Sequence, residues 1–262
     1  MSGLPLTFPH ILLDNAKKFP PTKAAIREKD LGIWQSYSWQ DYLEQVKDFA
    51  LGLASLGFKR EDKMAIIGDN RPQLYWGMAA SQCLGGVPVP LYQDAIHKEL
   101  EFIVDHSECR FALAEDQEQT DKLMHLKDKM PSLEYIIYDD PRGLTKFKHD
   151  WLIAFTDVQE RGRRFGKENP DYFTNAVEQV KPDDLSLIVY TSGTTGNPKG
   201  VMQTHRKVAA CCRGFNAWDN LDETGNVMAY LPMAWIGDHV FSYGQALCAG
   251  FTVNCPESTT TI

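Results

Sequence analysis

The sequence has no excess of positive charge: 27 Lys and Arg stand against 35 Asp and Glu, a net charge of −8. Duplex binding depends on a gathered basic footprint, so a nucleic-acid partner is excluded. The cluster Arg161, Arg163, Arg164 and Lys167 reads as a solvated helix end. There is also no long apolar run. The longest uncharged stretch, 240–256, contains Ser, Gln, Thr, Asn and two glycines, whereas a bilayer span asks for about 20 mainly apolar residues. Met1 to Pro9 has neither a basic n-region nor an extended apolar core, so no secretory signal is expected there. Six cysteines, at 83, 109, 211, 212, 248 and 255, include no Cys-x-x-Cys pair and no histidine at zinc-finger spacing. Reduced, buried thiols in a cytosolic protein are the expectation. Cys211 and Cys212 are neighbours in a predicted helix and face different directions, so one of the two should be exposed. Acids, cysteines and the seven histidines are scattered, with no metal-ligand spacing, internal repeat or low-complexity segment.

What is present, 43% hydrophobic and 24% charged residues over 262 positions, is the composition of a globular enzyme. Strand-like and helix-like segments alternate, which predicts an α/β fold: a mostly parallel sheet with helices on both faces. Thr7 caps a helix to about Lys18, and strand-like runs follow at 24–27 and 33–37. Ser38 opens a longer helix whose apolar residues Tyr42, Leu43, Val46, Phe49, Ala50 and Leu53 recur at helical spacing until Gly57. Further strands are predicted at 63–68, 87–91, 110–114 and 135–138, with helices from Pro72, from His97 and after Asp116. Pro88 and Pro90 place the 87–91 strand at a sheet edge or strand end. Residues 151–180 hold two helices broken around 166–170. A strand at 226–231, a loop at 232–239, a helix and a last strand at 251–254 complete the alternation.

Residues 185–200, Leu-Ser-Leu-Ile-Val-Tyr-Thr-Ser-Gly-Thr-Thr-Gly-Asn-Pro-Lys-Gly, organise the rest. An uncharged run, Leu185 to Tyr190, has the length and composition of a buried strand and runs directly into a loop of hydroxyls and glycines. Gly193, Gly196 and Gly200 can take positive φ, so that backbone N–H groups converge on an anion. Thr191, Ser192, Thr194 and Thr195 add hydroxyl donors and Lys199 a positive charge, together a cradle for polyphosphate. The Walker A spacing is not met: Gly193 is followed five places on by Pro198, and Gly200 stands where Ser or Thr should follow the lysine. Pro198 pushes Asn197 out of the helical region, so the following helix starts near Thr204 and the loop is a hairpin-like flap. Open α/β sheets bind ligands beyond the carboxyl ends of their strands, which makes the loops after Tyr190 and after Leu231 the best site candidates.

The run Tyr190-Thr-Ser-Gly-Thr-Thr-Gly-Asn-Pro-Lys-Gly200 resembles the phosphate-loop signature of the AMP-forming acyl-CoA synthetase (adenylate-forming, AMP-binding) family. Gly86-Val-Pro-Val-Pro-Leu-Tyr92 and Leu231-Pro-Met233 resemble the N-terminal part of a bacterial-type long-chain fatty acid CoA ligase. The resemblance implies that 1–262 is an incomplete N-terminal AMP-binding domain, with 1–184 a first sheet-and-helix portion, 185–262 the phosphate-loop strand and substrate-site elements, and the C-terminal domain absent. The chain alone is then expected to be inactive. The implied activity is ATP-dependent activation of a fatty acid to acyl-adenylate and then acyl-CoA, with ATP, Mg2+ and CoA as cofactor and co-substrates. In that reading Thr191, Ser192, Gly193, Thr194, Thr195, Gly196 and Lys199 hold the β- and γ-phosphates, with an electrostatic role for Lys199. No catalytic residue is otherwise assigned.

The resemblance puts an aromatic or histidine after Leu-Pro-x-x, near the carboxylate and acyl group; that place holds Trp235, for which core packing is the alternative. His239 is structural or substrate-lining ahead of catalytic base, since the adjacent Asp238 and His239 do not share a helix face. The uncharged segment 240–253 either lines an acyl tunnel or is a buried helix and strand. Lys207 departs from an Asn common in the family. Two other readings stay open: a nucleotide-binding module without chemistry, and an adenylating enzyme for another carboxylic acid. A cytoplasmic location is expected, and the reading leaves room for peripheral membrane association of the full-length enzyme.

Overall fold

The computed structural model describes residues 6–191 and 198–258. Helix α1, Phe8–Lys18, starts at Thr7, whose hydroxyl accepts from the His10 N–H, and ends where Phe19 turns extended before two prolines. Strands β1, Ala24–Asp30, and β2, Ile33–Ser38, form a hairpin that turns at Leu31 and Gly32, both at positive φ. Ser38 and Asp41 make a reciprocal capping box for α2, Trp39–Ser55. The predicted alternation then follows: β3 Lys63–Ile67, α3 Pro72–Cys83, β4 Val87–Leu91, α4 His97–His106, β5 Cys109–Ala114, α5 Gln117–Leu126 and β6 Tyr135–Tyr138. Next come β7 Leu152–Ala154, α6 Phe155–Glu168, α7 Tyr172–Glu178, β8 Leu185–Thr191, β9 Lys199–Thr204, α8 His205–Asp219, β10 Asn226–Met228 and β11 Thr252–Cys255. Between the last two strands runs a helical stretch at 236–249 whose middle, His239–Gly244, is a π-helix.

The strands form separate sheets. A five-stranded parallel sheet has the order β4-β3-β5-β6-β7, a four-stranded one β10-β11-β1-β2, and β8 and β9 pair as an antiparallel hairpin. Within the four-stranded sheet β1 lies parallel to β11 and antiparallel to β2. Two details differ from expectation. The three residues of β7 are too few to show a period, and they open the stretch assigned to helices. Strand β10 stops at Met228 instead of Leu231: Ala229 N–H still bonds Asn254 O, and the chain then leaves to make the turn closed by Trp235 N–H on Pro232 O.

The prolines of β4 set which edge stays open. Val87 N–H donates to Asp62 O, so positions 87, 89 and 91 face β3. Pro88 and Pro90 therefore present their N–H-less side to the other edge, where β8 lies against β4 without a ladder. The hairpin can sit beside this sheet without fusing to it.

Helix α3 is buried around nearly its whole circumference, from Leu74 to Cys83, and belongs to the core shared by α1, α2 and the 236–249 stretch. A second core lies between the five-stranded sheet, α4 and α5. Helices α2 and α6 approach so closely that a Cβ on Gly162 would stand 1.8 Å from Asp48 O, and one on Gly52 2.0 Å from Val158 O. All six cysteines are free; Cys211 is exposed and Cys212 buried, as neighbouring helix positions require. Among the described residues no helix is long and apolar enough to cross a membrane.

Candidate active site

Strand β8 is buried from Ser186 to Tyr190 and emerges at Thr191, whose cross-strand partner is Lys199. The loop therefore joins two antiparallel strands, and the helix begins only after Thr204 caps it, accepting from Lys207 N–H. Ser192, Gly193, Thr194, Thr195 and Gly196 lie outside the described residues. Thr191 and Lys199 are both exposed at the root of that loop, and Lys199 has no ion-pair partner among the described residues. Gly200 does not take positive φ. Its lack of a side chain has another cause: a Cβ there would meet the Tyr190 ring at 3.2 Å and Ile188 at 3.0 Å. The Tyr190 ring thus lies across the hairpin, and its hydroxyl shares a 2.7 Å hydrogen bond with His106 Nδ1 at the end of α4.

A cavity of about 580 Å3 opens beside this root, between the carboxyl ends of β4 and β8. Leu91, Tyr92, Ile103, Val189, Tyr190 and Thr191 form its walls, Asp94 and Glu99 also line it, and the turn Ala234 to Gly237 closes one side. Trp235 is therefore a cavity residue, 47% exposed. Thr191, the first residue after Tyr190, and the turn after Leu231 thus line one cavity.

His239 is not in this lining. It is fully buried, edge-on to Phe8 and tilted against Tyr243, with neither ring nitrogen partnered among the described residues. Burial, helped by the nearby His205, pushes its pKa down to about 3. His205 packs on the same Phe8 and is pushed down to about 4, again mainly by burial. A neutral, enclosed imidazole of this kind is no proton shuttle at neutral pH. The neighbouring Asp238 carboxylate turns elsewhere, accepting from Tyr75 Oη at 2.8 Å and from Asn70 Nδ2 at 3.0 Å. Burial raises its pKa to about 7 against those donors and Ser242. No acid–imidazole relay forms. Most of the segment 240–253 is buried, Phe241 being exposed, and the cavity between it and Trp39, Tyr42 and Tyr75 holds only about 10 Å3.

A larger cleft, about 750 Å3, lies at the carboxyl ends of β3, β5 and β6, lined by Glu28, Asp69, Glu115, Asp139 and Asp140 around Arg71. Sequence reasoning did not find it, because its acids come from separate strand ends. It is unsuited to polyphosphate. Arg71 is already committed to Glu115 at 2.8 Å and to the carbonyls of Pro256 and Glu257, while burial and neighbouring acids lift the Asp139 pKa to about 7. Among the described residues no group of three or more His, Cys, Asp or Glu could hold a metal ion.

Comparison with known proteins places this geometry. The chain is 27% identical over 238 residues to the long-chain-fatty-acid–CoA ligase ACSBG2 of Xenopus laevis, covering 88% of this chain and 31% of that protein. It is 29% identical over 201 residues to 4-hydroxybutyrate–CoA ligase 2 of Metallosphaera sedula, covering 76% and 34%. The chain thus spans about a third of the length of the curated relatives it matches. Its fold superposes on the anthranilate CoA ligase AuaEII in complex with anthranoyl-AMP with a TM-score of 0.80 at 18% identity, covering 96% of this chain and 45% of that one. A long-chain-fatty-acid-CoA ligase from Archaeoglobus fulgidus gives 0.78 at 19%, covering 95% and 46%. The AMP-binding enzyme profile matches residues 12–261, nearly the whole chain and both loops of the cavity, and the chain belongs to that family.

Proposed function

We propose that the protein carrying this chain activates a long-chain fatty acid with ATP, forming acyl-adenylate and then acyl-CoA, and that this chain supplies the phosphate-loop side of the site. The observation that carries the reading is that Thr191, which lines a mostly apolar-walled cavity, lies across the hairpin from Lys199, a lysine without an ion-pair partner among the described residues. A carboxylate oxygen attacks the α-phosphorus, the bond to the bridging oxygen breaks, and pyrophosphate leaves. Lys199 and the loop hydroxyls and amides at 191–196 would hold the β- and γ-phosphates and stabilise the charge gathering on that leaving group. CoA thiolate then attacks the acyl carbonyl and AMP departs. The apolar walls at Leu91, Ile103, Val189 and Trp235 would pack against the acyl group and shield it from water, which disfavours hydrolysis. Mg2+ would accompany the nucleotide's phosphates; among the described residues no group of three or more His, Cys, Asp or Glu could hold it.

A second reading, an adenylating enzyme for a different carboxylic acid, has one observation in its favour: Asp94 and Glu99 in the cavity lining suit a hydroxyl or cationic tail better than a purely aliphatic one. Acid-dependent exchange of pyrophosphate into ATP, run over a panel from short hydroxy acids to palmitate, separates the two. Exchange fastest with the long-chain acids supports the first reading, a short polar optimum the second, and ATP binding without any exchange a module without chemistry.

A further inference from the structure

The end of β8 at Thr191 and the turn at 234–237 both line the cavity, and a polar, buried seam along one helix joins the elements that carry them. Tyr75 and Gln82 lie seven residues apart on α3, hence on one face. Tyr75 Oη donates to Asp238 and itself accepts from Asn70 Nδ2 at 2.8 Å, so Asn70, Tyr75 and Asp238 form a chain of donors ending on the carboxylate. Two turns along, Gln82 Nε2 donates to Ser186 O of β8 at 2.7 Å, and Gln82 Oε1 accepts from Tyr243 Oη at 2.6 Å. Tyr243 stacks on Tyr75, 6.3 Å apart and nearly parallel, which closes the seam.

Asp238 follows immediately on the cavity turn, and its N–H donates to Trp235 O at 3.1 Å. Residues five apart diverge by about 140° around an α-helix. The wider turn of the π-helix at His239–Gly244 brings Asp238 and Tyr243 onto one side, so that both reach α3. Apolar side chains at these places would fill the same space at lower desolvation cost, yet they would not fix distance and direction as hydrogen bonds do.

We infer that this seam holds the Trp235 turn in register with β8, the strand that delivers the phosphate loop, and that Asp238 and Gln82 are positioning residues for the acid-activating reaction. The inference rests on the function proposed above for the cavity. It is tested in the complete protein with Tyr75→Phe, which keeps the ring and its stack, with Asp238→Ala, and with Asp238→Asn as the conservative variant.

Loss of one hydrogen bond to the carboxylate should raise the KM for palmitate about tenfold in pyrophosphate exchange, with the KM for ATP within about twofold. Asp238→Asn should recover most of the loss. Amide hydrogen exchange gives a readout independent of turnover: protection at 233–239 should fall in the first two variants while the five-stranded sheet keeps its own. Unchanged constants with unchanged protection would overturn the inference. So would losses that fall equally on palmitate and ATP together with protection lost throughout the chain, the pattern of general core damage. If no acid supports exchange even in the parent, that counts against the proposed function, and the seam is decided by protection alone: a loss confined to 233–239 upholds it and any other pattern overturns it.

Discussion

Replacing His239 by Leu should change the pH dependence of stability in a defined direction. His239 is enclosed by Phe8, Tyr243 and the His205 neighbourhood, with both ring nitrogens unpartnered among the described residues. Its folded pKa of about 3 lies below the ordinary histidine value of roughly 6.5. The folded state therefore binds fewer protons than the unfolded chain at every pH between the two, and stability falls as pH falls through that window. Between pH 7 and pH 5 the unfolded imidazole takes up its proton and the folded one does not. By linkage this costs about 2 kcal/mol for His239, and about as much again for His205, held at about 4. Asp238 works in the opposite sense: its raised pKa means that the folded state keeps its proton longer, so acidification between about pH 7 and 4 favours folding through that group. A raw stability profile mixes these terms, but the difference between His239→Leu and the parent isolates the histidine. Leu has nearly the same volume and removes two buried, unpaired polar atoms, so at pH 7 the variant should be close to neutral. In urea unfolding followed by far-UV circular dichroism, the difference should move toward the variant by about 2 kcal/mol between pH 7 and pH 5. The same difference at both pH values would refute the argument that the ring is neutral because it is buried.

Two further outcomes follow from the geometry. Gly162→Ala puts a Cβ where Asp48 O stands 1.8 Å away, and should lower stability by about 1–3 kcal/mol through separation of α2 and α6; a loss under about 0.5 kcal/mol in the same urea assay would show that the crossing is looser than described. Lys199→Ala should weaken adenylation in the complete protein by about 1–3 kcal/mol. Transfer to CoA from preformed acyl-adenylate should suffer less, and equal losses in both half-reactions would contradict a phosphate role.

Much of this architecture is written locally. Thr7, Ser38, Asp116 and Thr204 each cap the helix they were expected to open, because a cap depends on the neighbouring residues alone. The prolines of β4 likewise announce an edge, since a missing N–H cannot join a ladder whatever its partner. The same logic made the 191–199 loop a hairpin: Pro198 bars a helix start, and β9 pairs back on β8. What escaped was set by long-range pairing. Whether β1 joins β11 or β3 decides one sheet or two, and nothing within either strand says so. Three-residue β7 carries no period. The glycine at 200 was legible as a requirement and misread in its cause, because the Tyr190 ring that needs the space is across the hairpin. At the site, only the family resemblance, which puts an aromatic or histidine after Leu-Pro-x-x, pointed to Trp235, and core packing stayed open as its alternative until the cavity lining was known. Burial of Asp238 under Tyr75 and Asn70, 168 positions away from the latter, could not be seen from the sequence around it.

The central claim, acid activation through an adenylate, is tested most directly by identifying the nucleotide products. The complete protein, given Mg-ATP and palmitate without CoA, should yield pyrophosphate and palmitoyl-AMP detectable by mass spectrometry, and on addition of CoA should release AMP and palmitoyl-CoA in equal amounts. Formation of ADP and inorganic phosphate, or of no palmitate-dependent product while ATP still binds, would contradict it.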